Sequence, residues 1–178
     1  MLETQRLILR KFVPEDGPGL YGYLSDPEVV CYEPYEPMNI EDCQREAEKR
    51  AGNEAFWAVC LKESGKLIGN LYFARQEFDT WEIGYVFHRA YQGKGYAFES
   101  ARELITYGFK ELKVRRIVAM CNPENEKSWR LMERLHMRRE GHFLQDVSFR
   151  SDDQGNPVWQ DTYAYGLLAG EWDNPAIF

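Results

Sequence analysis

The 178-residue chain is about the length of one ordinary domain, with 44% apolar and 29% charged residues, which excludes a disordered or fibrous chain and allows a single buried core. Its net charge of −7 argues against a broad nucleic-acid surface, which needs clustered Lys and Arg, and suits a cationic small partner. No apolar run approaches the roughly 18 to 20 residues of a membrane span, and the start, MLETQRLILRKF, lacks the hydrophobic stretch of a signal peptide, so a cytoplasmic protein without a membrane partner is expected.

Arg6-Leu7-Ile8-Leu9-Arg10 reads as a short strand, and Pro14-Glu15-Asp16 marks a helix start, with Pro in the first turn and acids at the positive end of the helix dipole. Ser25-Asp26-Pro27-Glu28 begins a second short turn of helix. The tract from Cys31 to Met38, CYEPYEPM, reads as a loop, and Asn39 caps a charged helix that runs to Arg50. Phe56 to Leu61 and Leu67 to Phe73 are β-prone runs around a polar link with Gly65, which makes them a hairpin; Trp81 to Phe87 extends the meander after the polar turn Gln76 to Thr80. Beyond it the apolar period changes from two to about 3.6. Phe98, Ala101, Ile105, Phe109 and Leu112 share one face of a long helix from Gly95 to Leu112, and a strand follows at Ile117 to Cys121. Asn122-Pro123-Glu124-Asn125 breaks that strand, and Leu131, Met132 and Leu135 give the next helix its apolar stripe. Glu140 to Phe149 and Val158 to Leu167 close the chain as a hairpin around the turn cluster Ser151 to Pro157. The pattern predicts one α+β domain over residues 1–178, with a mixed, mostly antiparallel central sheet flanked by helices.

Cys31, Cys43, Cys60 and Cys121 are scattered, with no C-x-x-C pair and no His at ligand spacing, so buried reduced thiols are expected rather than a metal site or a disulfide framework. The most informative segment is Gln92-Gly93-Lys94-Gly95-Tyr96-Ala97, directly after a strand and at the start of the long helix. A helix N-terminus carries unsatisfied N–H groups and roughly half a positive charge, and glycines let a phosphate approach that backbone, so the segment is a candidate diphosphate cradle. An ordinary strand-to-helix turn is the alternative. The segment does not match G-x-x-x-x-G-K-[ST], and Phe98 takes the place of the third glycine in G-x-G-x-x-G, so neither nucleotide hydrolysis nor dinucleotide binding is indicated.

Gln92 through Ala97 fits Q/R-x-x-G-x-G/A, and with it the sequence resembles the GNAT acetyltransferases. Leu2-Glu3-Thr4-Gln5-Arg6-Leu7-Ile8-Leu9-Arg10, the Glu82-Ile83-Gly84-Tyr85 strand and Asn125-x-x-Ser128 fall in the order and spacing of the ribosomal-protein N-terminal acetyltransferase (RimJ/RimL) branch, over nearly the whole chain. The resemblance implies the GNAT acyl-CoA N-acyltransferase fold and metal-free transfer of an acetyl group from acetyl-CoA to a primary amine by direct attack. It implies that the strand before the cradle splays from the next and takes pantetheine along the main chain of Tyr85, Val86 and Phe87. It further implies that the amides of Gln92, Gly93, Lys94, Gly95, Tyr96 and Ala97 hold the diphosphate, with Lys94 adding charge, and that Asn125 and Ser128 approach the pantetheine arm or thiol. A helix N-cap is the other reading of Asn125.

Attack needs a neutral amine, and an alkyl amine with a pKa near ~10 is mostly protonated at neutral pH, so a base must take that proton. Glu82 is the first candidate base and Asp146 the second; pairing across the sheet is the other role open to Glu82. A backbone N–H near Val86 is the candidate donor to the thioester oxygen. Two positions depart from the family. Met132 stands where many members have a Tyr that protonates the leaving thiolate, which passes that role to Ser128 or solvent, and His136-Met137 replaces Gly-Phe at the helix end. The acceptor expected by the resemblance is the α-amine of a peptide or protein N-terminus; the alternatives are a polyamine or aminoglycoside, or a non-catalytic acetyl-CoA-binding module. Tyr32, Glu33, Tyr35 and Glu36 in the aromatic loop, with Trp159 and the hairpin loop Ser151 to Asn156, are expected to shape the acceptor cleft. A monomer or homodimer is expected.

Overall fold

Residues 1–172 are described by a computed structural model. The N-terminal alternation gives β1 (Leu2–Glu3) and β2 (Leu7–Arg10), with Leu7 and Leu9 buried and Ile8 and Arg10 on the other side. Helices α1 (Gly17–Leu24), α2 (Pro27–Val30) and α3 (Ile40–Ala51) follow, and the last two are capped by side chains that accept first-turn amides: Asp26 from Glu28 and Asn39 from Asp42. The meander is β3 (Phe56–Leu61), β4 (Leu67–Arg75) and β5 (Thr80–Phe87). The crossover helix α4 (Tyr96–Lys110) leads to β6 (Arg116–Cys121), α5 (Glu126–Arg134) and the long hairpin of β7 (Arg138–Ser151) and β8 (Pro157–Leu168), after which α6 (Ala169–Trp172) begins. The strands form one sheet in the order β1-β2-β3-β4-β5-β6-β8-β7, in which β5 and β6 are parallel and all other neighbours antiparallel.

Side chains alternate across the sheet, so each face buries its own core. On one face Leu71, Phe73, Ile83 and Phe87 pack with Leu104, Ile105 and Phe109 of α4 and Leu131 and Met132 of α5. On the other, Ala58, Cys60 and Val86 pack with Leu20, Tyr23 and Leu24 of α1 and Cys43 and Ala47 of α3. The expected stripe of α4 holds at Ala101, Ile105 and Phe109 and gains Leu104, but Leu112 lies past the helix end and is exposed. The thiols are buried at Cys43 and Cys60, whereas Cys31 is exposed and Cys121 half-buried, because those two sit at a loop start and a strand end that border the site.

The feature that positions the site is an interrupted ladder. Strand β5 stays paired with β4 from Trp81 to Phe87, and β6 stays paired with β8 along Arg116 to Cys121, but β5 and β6 pair with each other only at Thr80–Glu82 with Arg116–Val118. Beyond Glu82 each strand follows its antiparallel neighbour. A wedge opens between them, and the β5 edge from Ile83 to Phe87 faces it without a strand partner.

Candidate active site

The wide end of the wedge meets the start of α4. Gly93 and Gly95 have φ of 72° and 83°, the left-handed region that costs glycine nothing, and they turn the chain so that the first-turn amides of α4 point out of the loop. Among the described residues no side chain caps this helix. A Cβ on Gly93 would meet nothing within 4 Å, while one on Gly95 would lie 3.3 Å from the guanidinium of Arg6. Arg6 has no role in the site that the sequence shows, since nothing in a strand-initial Arg marks one. It nevertheless braces the loop, donating to the Lys94 carbonyl at 3.1 Å, pairing with Glu99 at 2.7 Å and lying 4.3 Å from the Tyr96 ring centre. Gln92 ties the loop to both sides of the wedge: its amide donates to the Phe87 carbonyl at 2.9 Å, and its carbonyl oxygen accepts from Lys127 of α5 at 3.2 Å.

A cavity of about 1800 Å³ extends from this cradle through the wedge to the loop 31–38. Of the site residues expected from sequence it is lined by Glu82, Tyr85, Val86, Phe87, Gln92, Gly93, Gly95, Tyr96, Ala97, Asn125, Ser128 and Asp146. Lys94 is the exception. Its side chain is exposed and its ammonium sits 5.5 Å from the Tyr91 ring, outside the cavity lining, so only its backbone belongs to the cradle. These groups fit an acyl-CoA chain: open helix amides and glycines for phosphate, and an unpaired strand edge for the amide-bearing arm.

At the narrow end stands Glu82, the last β5 residue still paired with β6. It makes no ion pair among the described residues; its carboxylate accepts only from Gln76, at 2.9 Å, and half-burial raises its pKa above the usual carboxylate value. On the opposite face of β5 the phenol of Tyr85 reaches across to α5, donating to the Ser128 carbonyl at 3.0 Å and lying 3.1 Å from the Ser128 hydroxyl. The side chain of Tyr85 therefore matters alongside its main chain, which alternation alone could not reveal. Asn125 accepts from the Ser128 amide as the N-cap of α5 and also lines the cavity, so both readings of it hold geometrically. Met132 is buried in the core, and the Cys121 thiol beside Ser128 is pushed up to about 11 by burial, which leaves it protonated and unreactive at neutral pH. Asp146 lies in an irregular stretch of β7 between Phe143 and Val147, exposed on the cavity rim.

The loop 31–38 roofs the far half. The Tyr32 hydroxyl donates to the Glu124 carbonyl at 3.3 Å, and Arg150 of β7 donates to the carbonyls of Val30 and Tyr35 at 3.2 Å and pairs with Glu36 at 2.9 Å. Tyr32, Glu33 and Tyr35 line the cavity as expected. Glu36, Trp159 and the hairpin loop 151–156 do not, because Glu36 is turned to Arg150 and the hairpin reaches the cleft through Asp146, Val147 and Phe149 instead. Beneath the roof, buried Arg50 pairs with Glu46 at 2.8 Å, donates to Asn70 at 3.0 Å and lies over the ring of Phe56, which packs against Tyr72.

A mixed sheet pried open beside an uncapped, glycine-led helix is the architecture of the acyl-CoA-binding acyltransferases. The family model described as "Acetyltransferase (GNAT) domain" matches residues 6–138, and the chain belongs to that family as an acetyl-CoA-dependent N-acetyltransferase. It is 39% identical over 174 residues to the uncharacterized N-acetyltransferase YnaD of Bacillus subtilis, covering 97% of this chain and 99% of the relative. The crystal structure of a GNAT acetyltransferase from Bacillus anthracis superposes with a TM-score of 0.87 at 38% identity, over 96% of this chain and 99% of that one. More distantly, the chain is 26% identical to the ribosomal protein uS5-alanine N-acetyltransferase of Escherichia coli, over 96% of this chain and 92% of the relative.

Proposed function

We propose that this acetyltransferase acts on the primary amine at the end of a slender cationic chain, with Glu82 as the base and the Tyr85–Ser128 pair at the leaving sulfur. The observation that carries the reading is the place of Glu82: a half-buried carboxylate without a cationic partner among the described residues, at the apex where β5 and β6 part. Acetyl-CoA supplies the activated acetyl group when bound. The cradle from Gln92 to Ala97 holds its phosphates, the open edge of Tyr85 to Phe87 holds its arm, and that edge also offers fixed N–H dipoles to a developing oxyanion. Glu82 accepts a proton from the acceptor ammonium, which frees the lone pair that attacks the thioester carbonyl; the C–N bond forms, the C–S bond breaks, and the nitrogen's second proton leaves to solvent. The Ser128 hydroxyl, held by Tyr85 Oη, relays a proton from solvent to the leaving sulfur and is itself restored in the same step.

Within this reading the acceptor is a peptide N-terminus, supported by the likeness to the RimJ/RimL branch and by the E. coli relative, a ribosomal protein uS5-alanine N-acetyltransferase. A polyamine is the second reading, favoured by the roof that narrows the far half of the cleft and by the carboxylates beneath it. Exposed Phe143, Leu144 and Trp159 on the β7–β8 hairpin support a homodimer over a monomer. Acetyl transfer from acetyl-CoA, followed by product mass across N-terminal peptides, polyamines and aminoglycosides, tests the proposal. Turnover of peptides or polyamines is expected; saturable acetyl-CoA binding with no amine turned over would contradict it.

A further inference from the structure

We infer that the acceptor carries a second positive charge beyond its reacting amine, and that Glu33 is the residue that selects for it. The inference deepens the reading of the same cleft given above. It rests on how charge is distributed around the far half of the cavity. There Lys49 and Arg50 already meet Glu46, and Arg89 meets Asp26 and Glu28. The cavity-lining acids left without an ion pair among the described residues are Glu33, Glu82, Glu124 and Asp146, and of these Glu124 and Asp146 are solvent-exposed. Two half-buried carboxylates remain.

Glu33 and Glu82 are also separate. Burial raises both carboxyls, and at Glu33 the Tyr35 hydroxyl and the Arg50 guanidinium pull the other way. Between them lies an aromatic wall: Tyr72 next to Glu82, Phe56 at 5.3 Å from Tyr72, and Arg50 at 4.6 Å from Phe56, already engaged with Glu46. Glu82 is fixed on β5 opposite Ala74 and Glu33 in the loop 31–38 that roofs the far half, so the two acids offer separate places for an ammonium. With Glu82 assigned to the reacting amine, Glu33 is left with a desolvated charge facing an open, aromatic-walled cavity, a setting that favours a cation.

The roof explains why Glu33 is held there. Its amide donates to the Val30 carbonyl at 2.9 Å, and the loop on either side is pinned by Tyr32 to Glu124 and by Arg150 to Val30 and Tyr35. The carboxylate is thus presented by a fixed loop.

The test compares acceptors that differ only in the second charge: n-butylamine against α,ω-diamines of three to six methylenes, and Ala-Lys-led against Ala-norleucine-led peptides. Acetylation is read by product mass, and binding to the CoA-loaded protein by calorimetry. The wild type should prefer the best dication over its monocationic counterpart by about tenfold or more in kcat/KM or in Kd, as a charge-assisted contact implies. Glu33→Gln, with acetyl-CoA affinity as the check that it is folded, should bring that ratio to about one, chiefly through KM. Preference among diamines points to a polyamine as source, and preference among peptides to a basic side chain; either supports Glu33. A wild-type ratio near one, or a ratio that survives Glu33→Gln, overturns it. Glu33-dependent binding without turnover would instead keep Glu33 and refute the proposed catalytic function.

Discussion

The phenol oxygen of Tyr85 lies 3.1 Å from the hydroxyl oxygen of Ser128, joining the free edge of β5 to the first turn of α5 across the wedge. Tyr85 is desolvated, which raises its pKa above the usual phenol value and keeps it a neutral donor at all working pH values.

The pair should therefore act as one unit. Ser128→Ala is expected to lower kcat about 10- to 100-fold at unchanged acetyl-CoA affinity, and Tyr85→Phe to lower it less. The double variant should be no worse than Ser128→Ala alone, as coupled groups are non-additive. Steady-state kinetics of the three variants check this, and additive losses would show that the two hydroxyls work independently.

Gly95 and Gly65 both have φ in the left-handed region, at 83° and 69°, but only Gly95 has a neighbour within 4 Å, the guanidinium of Arg6. Alanine at either should cost about 1 kcal/mol of stability from the backbone. Only Gly95→Ala should also weaken acetyl-CoA binding, by about tenfold, because it displaces Arg6 from the cradle. Thermal melts and calorimetry on both variants separate the two effects.

His136 occupies the C-terminal end of α5 with φ of 60°, where a glycine is the unstrained choice. His136→Gly should raise stability by about 1 kcal/mol, or roughly 2–4 °C in Tm for a chain of this size. A lower Tm would mean that the exposed imidazole makes a contact worth more than the strain.

Glu33 is pushed up to about 7 by burial, with the Tyr35 hydroxyl and Arg50 pulling the other way. A carboxyl whose folded pKa lies above its unfolded value binds its proton more tightly in the native state, so native stability falls as pH rises from about 4.5 to about 7. Glu33→Gln removes that loss: its Tm advantage over the wild type should be larger at pH 8 than at pH 4. Equal differences at both pH values would show that Glu33 is not desolvated in solution.

The strand and helix order was legible because the apolar period is two through Phe87 and near 3.6 after Gly95, and because Asn39 and Asn125 cap their helices as their residue type predicts. The cradle was legible for the same reason, being a local turn. What escaped were the long-range meetings. Arg6 under Gly95, Tyr85 against Ser128, Tyr32 on Glu124 and Arg150 on the roof join residues 43 to 120 positions apart. Periodicity assigns a face to a side chain but not the element opposite it. The misplacement of Trp159 and of the 151–156 loop follows from the same gap, since the hairpin's reach into the cleft depends on the irregular pairing of β7.

The central claim is that Glu82, at the apex of the wedge, takes the acceptor's proton. The direct test is the pH dependence of kcat/KM for Glu82→Gln beside the wild type, with acetyl-CoA affinity measured on both. We expect the affinity to be retained, turnover at neutral pH to fall about 10²- to 10⁴-fold, and part of it to return at high pH as free amine accumulates. Turnover that matches the wild type across the pH range would contradict the assignment and move the base elsewhere in the cleft, with Asp146 the next to be replaced.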